Sequence, residues 1–372
     1  SSTSNSPLIA GGKLSFLGST INLSWGELIC NNNIIYLNDG ARMNNAILDN
    51  PVIGGYFVGG DELVMTGEIE IRDTLAAPGS YTEWFFTGDV LNNGLINKYT
   101  NYSLTIYISG DIENNGEWNT TKTELTGTEK QFITLEAGKT FQCGQLNDTD
   151  ITAPVEAVND LSFTNTTIDM NGSDFIFPSS KGLILSLSGG DMKDGTFSMN
   201  GGTIYMTDDA EVGEGAIISN FTATGQVILC GANILLQGEV IIHDTLQSCG
   251  GYNLNFDIDG NLINNGMFLE PSTYWNTSVK ISGNIENNGE WIRITTHLSG
   301  TGTHEISQAP GSEFYDEYFY ADAGNGATTA LTDINFRECH IDFNDNELIL
   351  QGNLSITDER MIDAVISGNN NQ

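Results

Sequence analysis

The sequence predicts an all-β fold: a parallel, right-handed β-helix solenoid with coils of about 22 residues. Three observations carry this. The phrase ISGDIENNGEW at 108–118 returns as ISGNIENNGEW at 281–291, with the single change of Asp111 to Asn284. Gly67, Gly88 and Gly110 lie 21 and 22 apart, and Gly238, Gly260 and Gly283 lie 22 and 23 apart. Glycine is frequent at 43 and proline scarce at 7, which suits many short strands joined by tight turns.

Taken in order, residues 1–25 read as an N-terminal edge and first coil, 26–194 as one repeat unit and 195–346 as a second. GELICNNNIIYLNDGA (26–41) is matched by GTFSMNGGTIYMTDDA (195–210), and GEIEIRDTL (67–75) by GEVIIHDTL (238–246). GDVLNNG (88–94) returns as GNLINNG (260–266), TELTGT (123–128) as THLSGT (296–301), and DLSFTNTTIDMN (160–171) as DINFRECHIDFN (333–344). Order is kept and the offset drifts only from 169 to 173. This is a tandem duplication of a unit of about 170 residues. Residues 347–372 start a third copy or form a C-terminal cap, since ELILQGNLSITD (347–358) resembles both GELICNNNIIYLND (26–39) and ANILLQGEVIIHD (232–244). The expectation is a chain cut from a longer one. Segments 147–160 and 307–329 are polar and acidic and read as loops between coils. No 3.6-residue period of useful length appears, so little helix is expected.

Within the coil, Val90, Ile112, Leu262 and Ile285 sit at inward positions of alternating strands. The corners that follow are Asn92-Asn93-Gly94, Asn114-Asn115-Gly116, Asn264-Asn265-Gly266 and Asn287-Asn288-Gly289. Asn and Gly enter positive φ at least cost, which predicts sharp turns there. Stacked coils place like corner on like corner, so the amides can form a hydrogen-bonded ladder. The alternative is a set of antiparallel β-sandwich domains with Asn-Gly hairpins.

The net charge is −35, from 48 Asp and Glu against only 13 Lys and Arg. A base-poor surface repels phosphate backbones and anionic membranes, so no nucleic-acid partner is expected. Divalent cations and neutral glycans remain compatible. No apolar run reaches the roughly 18 residues of a membrane span, so no membrane insertion is expected. The five cysteines, Cys30, Cys143, Cys230, Cys249 and Cys339, show no metal-ligand spacing. Cys230 and Cys249 lie 19 apart, about one coil, which leaves two readings: a rung-to-rung disulfide or buried apolar thiols. The Ser-Ser-Thr-Ser start suits a processed secreted protein or a recombinant fragment.

The GNLxNNGxW coil, followed by an LTGT or LSGT strand, resembles the repeats of large secreted cell-surface proteins of Bacteroidetes-type bacteria. That resemblance implies a type IX secretion route, an extracellular location and a role as adhesin or surface layer. It also implies O-glycosylation at the Asp-Thr-Leu triplets 73–75 and 244–246, for which a turn-forming Asp-Thr is the other reading.

Catalytic residues are not expected. The carboxylate pairs Glu113/Glu117 and Glu286/Glu290 have the composition of a glycosidase pair but belong to the repeated phrase, and repeated features are architectural. His243, His297, His304 and His340 lack metal-ligand spacing, and each reads as a surface or ladder-capping residue. No cofactor is expected; calcium is the one cation considered, at the turns 147–150 and 342–345. The non-repeated stretch EFYDEYFYAD (313–322) supplies candidate contacts for a glycan or a partner protein: Phe314, Tyr315, Tyr318 and Tyr320. Trp84 and Trp275 join them as exposed tryptophans without an aromatic match in the other copy. The expected function is a non-enzymatic extracellular adhesin, filament or stalk segment, with self or neighbouring repeat domains as end-to-end partners. The alternative is a carbohydrate-active β-helix, either an enzyme or a glycan-binding module.

Overall fold

Alternating residues and glycine-bearing corners wind this chain into parallel strands. The computed structural model describes residues 7–38, 41–98, 102–150, 152–250, 253–272, 276–357 and 361–368. Two compact units are present, Ser1–Pro178 and Ser179–Gln372. Each is an all-β parallel solenoid with turns of about 21 residues, and no helix occurs among the described residues. Antiparallel sandwiches are excluded, because the strand pairings within each unit are parallel.

Each full coil lays down three short strands. In the first unit Thr82–Thr87, Val90–Asn92 and Leu95–Asn97 are followed one coil on by Leu104–Ile108, Ile112–Asn114 and Glu117–Asn119. The register sets Trp84 beside Ile106, Val90 beside Ile112 and Ile96 beside Trp118. In the second unit Thr277–Ile281, Ile285–Asn287 and Glu290–Ile292 give way to Ile294–Leu298, His304–Gln308 and Glu313–Tyr315. Coil length varies at the corners. Ile106 pairs with Thr123 while Ile112 pairs with Ile133, so the added residues go into the turn at 126–130.

The two segments expected as loops carry strands instead. Gln145–Asp148 and Val155–Ala157 lie in or across the first, and Glu313–Tyr315, Tyr318–Ala321 and Thr328–Ala330 lie in the second. Gln145, Asn147, Glu156 and Glu313 point outward, while Leu146, Val155, Phe314 and Phe319 point into the core and Asp148 and Asp316 are buried at the corners. A strand solvated on one face can be polar on average, so mean polarity was the wrong signal and period two the right one.

Inward residues stack from rung to rung. Trp118, Phe141 and Phe163 form a column with centroids 5.6 and 5.4 Å apart. In the second unit Phe268, Trp291, Phe314 and Phe336 follow at 4.9, 5.1 and 5.4 Å. Burying rings of this size contributes about 1.5–3 kcal/mol each, with a smaller gain from ring contact.

The amide ladder forms. Asn92 Nδ2 donates to Asn114 Oδ1 at 2.7 Å, and Asn264 Nδ2 to Asn287 Oδ1 at 2.9 Å, with all four side chains fully buried. On the outer side Asn115 donates to Asn93 at 3.1 Å and Asn288 to Asn265 at 2.9 Å. The inner Asn also turns back on its own corner, where Asn92 Oδ1 accepts the Gly94 N–H at 3.1 Å.

The glycines serve a different purpose from the one expected. Gly94, Gly116, Gly266 and Gly289 do not occupy the left-handed region. A Cβ on Gly116 would lie 2.0 Å from the Gly94 carbonyl oxygen, and one on Gly289 2.0 Å from that of Gly266. These positions are glycine because successive backbones touch there. Positive φ is used elsewhere, at Gly67 (74°) and Gly238 (72°), each placed over an asparagine amide, Asn50 or Asn220. That shared detail ties the two copies together in three dimensions.

Of the two cysteine readings both hold, at different sites. Cys230 and Cys249 form a disulfide across one rung, with Cα atoms 5.2 Å apart. Cys30, Cys143 and Cys339 are buried free thiols, and burial pushes Cys30 and Cys143 up to about 12, leaving them unreactive.

Candidate functional site

One strand face of the second unit brings two tyrosines and two histidines together. Four successive rungs build it: Thr277–Ile281, Ile294–Leu298, Tyr318–Ala321 and His340–Asp342. Alternation turns Val279, Thr296, Phe319 and Ile341 inward. The outward positions then form two parallel rows. One runs Ser278, Thr295, Tyr318, His340 and the other Lys280, His297, Tyr320, Asp342.

Rings meet along both rows. Tyr318 stacks on His340 with centroids 5.2 Å apart and planes 21° apart, and it remains 44% exposed. Tyr320 lies against His297, whose Nδ1 is 3.8 Å from Asp322 Oδ1. Burial lowers the His297 pKa and Asp322 only partly opposes that, so this ring is neutral at neutral pH. A groove of about 590 Å³ opens over the face, with Tyr318, Tyr320, His340, Asp342, Asn344 and Ile362 among its walls.

Behind the platform sits a buried acid. Asp316 lies in the corner that delivers Tyr318, and its carboxylate accepts the Thr296 hydroxyl at 2.7 Å. Burial pushes this carboxyl well above the ordinary carboxylate range, and the Thr296 bond offsets it only in part. A carboxyl whose folded pKa lies above its unfolded value of about 3.9 binds more protons in the native state. Its contribution to stability is therefore most favourable below that value and is lost as pH rises towards the folded pKa. Asp316→Asn removes this dependence. In paired thermal melts the variant is expected to gain on the parent as pH rises from 4 to 8. An unchanged difference across that range would contradict the burial argument.

The remaining candidates scatter. Trp84, expected on the surface, is fully buried, with its indole N–H donating to the Gly60 carbonyl at 3.0 Å. The match that aligns Gly88 with Gly260 also aligns Trp84 with Phe256, itself buried, so the ring is a core element with an aromatic counterpart. Phe314 is likewise fully buried, because the middle residue of a three-residue strand faces inward when its neighbours face out. Tyr315 lies on a different strand face from Tyr318, under the Arg337 guanidinium at 4.3 Å. Trp275 lies outside the described residues. Sequence reasoning missed the grouping of His297 and His340 with Tyr320 and Tyr318. Their separations, close to one coil, were the available signal.

Of the repeated carboxylates, Glu113 and Glu286 brace their own corners. Glu113 accepts the Asn115 amide at 2.9 Å and Glu286 that of Asn288 at 2.6 Å. A second groove, of about 630 Å³ on the first unit, is lined by Glu68, Glu70, Asp89, Asp111 and Glu113 with Arg72. Here Arg72 clasps Glu70 through two bonds of 2.8 and 2.9 Å and lowers its pKa. Asp89 and Asp111 each accept a backbone N–H from the next rung, at 2.9 and 2.8 Å. Asp73 and Asp244 of the Asp-Thr-Leu triplets accept a backbone N–H from the preceding rung, of Gly55 and Gly225, at 2.8 and 3.0 Å. At the turns considered for calcium, Asp148 accepts the Asp150 N–H and Asp342 that of Asn344. Among the described residues no group of three or more His, Cys, Asp or Glu is arranged to hold a metal ion. No helix among them is long and apolar enough to cross a membrane.

Comparison with protein-family models, curated proteins and solved structures finds no match to this chain.

Proposed function

We infer that this chain is a non-catalytic extracellular module, an adhesin or stalk segment built to present repeated surfaces. One observation carries the reading. The amides that recur in both copies bond from rung to rung, as in Asn92–Asn114 and Asn264–Asn287, and the recurring Glu113 and Glu286 brace the outer asparagine of their own corner. Residues bound into a scaffold at every repeat are poor candidates for the single acid–base pair that glycoside cleavage needs. The Cys230–Cys249 disulfide supports an oxidising compartment. The likeness of the coil motif to secreted surface repeats supports the same location.

In this reading further coils of the same repeat cover the outermost strands. Leu8 and Ile9 of the first unit are 58% and 68% exposed, and Val365 and Ile366 of the second are 55% and 51% exposed. An apolar strand edge left open invites strand addition, and a coil of the same kind is its natural complement.

The test is turnover. The purified chain is incubated with a panel of neutral and acidic polysaccharides, and new reducing ends and unsaturated uronate products are followed. No release above the blank is expected. Sustained release from any polymer would replace this reading with the carbohydrate-active one.

A further inference from the structure

We propose that the groove on the second unit is a binding subsite for a neutral pyranoside within a longer glycan. Three features of the groove point to that ligand class. Its floor is aromatic: Tyr318 and Tyr320 stand two residues apart on one strand, with Tyr318 braced by His340 and Tyr320 by His297. A tyrosine ring held by a second ring keeps its face in place, and the C–H face of a pyranose is the apolar surface that stacks on it. Ile362, 44% exposed, supplies an apolar wall.

Polar groups stand at one end of the same groove. One Asp342 oxygen accepts the Asn344 N–H at 2.8 Å, and the Asn344 amide nitrogen donates to the Ala321 carbonyl at 2.6 Å. These bonds fix both side chains while each keeps an oxygen with free lone pairs, suited to accept from sugar hydroxyls. Fixed acceptors beside an aromatic floor match a ligand that is apolar on its faces and hydroxylated around its edge.

The charge balance selects the neutral class. A carboxylate lies in the groove, His297 is held neutral by burial, and the chain carries −35 overall. A uronate or sulfated sugar would meet repulsion here. The first unit provides an internal contrast. At the offset that aligns 108–118 with 281–291, the positions of His297, Tyr318 and Tyr320 hold Glu124, Gln145 and Asn147. There Glu124 is paired with Lys122, and the aromatic stack on that face, Phe85 on Tyr107, lies on the preceding rungs with Glu124 beside it in place of a histidine.

This inference deepens the adhesive reading and rests on it only for where the glycan is met. Binding is measured on purified chain and cleavage in the separate assay above, so the two can fail independently. The experiment is affinity electrophoresis in native gels containing galactomannan, xyloglucan, hydroxyethylcellulose or polygalacturonate. Retardation by at least one neutral polymer is expected. Tyr318→Ala and Tyr320→Ala should each weaken it roughly tenfold, the loss of one stacking contact. Tyr318→Phe should keep it, Asp342→Asn should weaken it, and Tyr107→Ala on the first unit should leave it unchanged. Thermal melts confirm that each variant folds. The proposal is overturned by retardation in polygalacturonate alone, by no retardation in any neutral gel, or by wild-type retardation of folded Tyr318→Ala.

Discussion

Gly116→Ala is expected to destabilise the first unit by roughly 3 kcal/mol or more, although it adds one methyl at a position with ordinary backbone angles. The methyl carbon would lie 2.0 Å from the Gly94 carbonyl oxygen and 2.8 Å from that residue's carbonyl carbon and nitrogen. All three are backbone atoms, so no rotamer change can relieve the contact. Gly94 is itself packed against the preceding rung, since a Cβ there would lie 1.9 Å from the Asp73 carbonyl oxygen, so it has little room to retreat. Relief requires parting the rungs, at the cost of the Glu117 N–H bond to Gly94 O, now 2.8 Å. Two other glycines calibrate the result. Gly138 has φ of 82° with nothing near its absent Cβ, so Gly138→Ala should cost only the roughly 1–2 kcal/mol of a left-handed alanine. Gly302 is free of both constraints, and Gly302→Ala should change stability by about 0.5 kcal/mol at most. Chemical denaturation of the three variants should rank them in that order. A Gly116→Ala midpoint equal to that of Gly138→Ala would mean that the rungs do not touch at these corners.

The same corner shows what sequence alone could and could not convey. Recurrence of Asn-Asn-Gly one coil apart in each copy was enough to infer parallel stacking and an amide ladder, because only vertical neighbours give such spacing a purpose. The cause of the glycine was not legible. Positive φ and close backbone approach both select glycine, and only the distance between rungs separates them. Trp84 was misjudged for a related reason. Without register, a tryptophan in TEWFFT has no assigned face, whereas the pairing of Trp84 with Leu63 and Ile106 places it inward. The aromatic platform is the clearest case of information held in register. His297 and Tyr320 become neighbours only when coil length is known residue by residue, and that length changes wherever a corner gains or loses residues. Isolated histidines in sequence thus became partners of tyrosines in space.

Asn287→Asp is the second large effect expected, and it separates the inner from the outer amide of one corner. Asn287 is fully buried, with Oδ1 accepting from Asn264 at 2.9 Å and Nδ2 donating to the Glu313 carbonyl at 3.1 Å. An aspartate keeps the acceptor but turns the donor into a second oxygen facing that carbonyl, away from water. The loss should be roughly 3 kcal/mol or more at pH 7, from an unsatisfied buried group and a desolvated charge together. Protonation would restore a donor, so the folded pKa of this aspartate must lie above its unfolded value of about 3.9. The native state then holds the proton more tightly, and the penalty should shrink as pH falls towards 4 and grow as pH rises above it. Asn265→Asp tests the outer ladder. Asn265 is exposed and uses only its oxygen, accepting from Asn288 at 2.9 Å, and an aspartate can do that as well. Its stability should stay within about 0.5 kcal/mol of the parent at every pH. Equal penalties for the two variants would mean that the inner amides are wet. A corner open to water could hold a working carboxylate, whereas a corner that punishes one by several kcal/mol is closed to acid–base chemistry and serves to join one coil to the next.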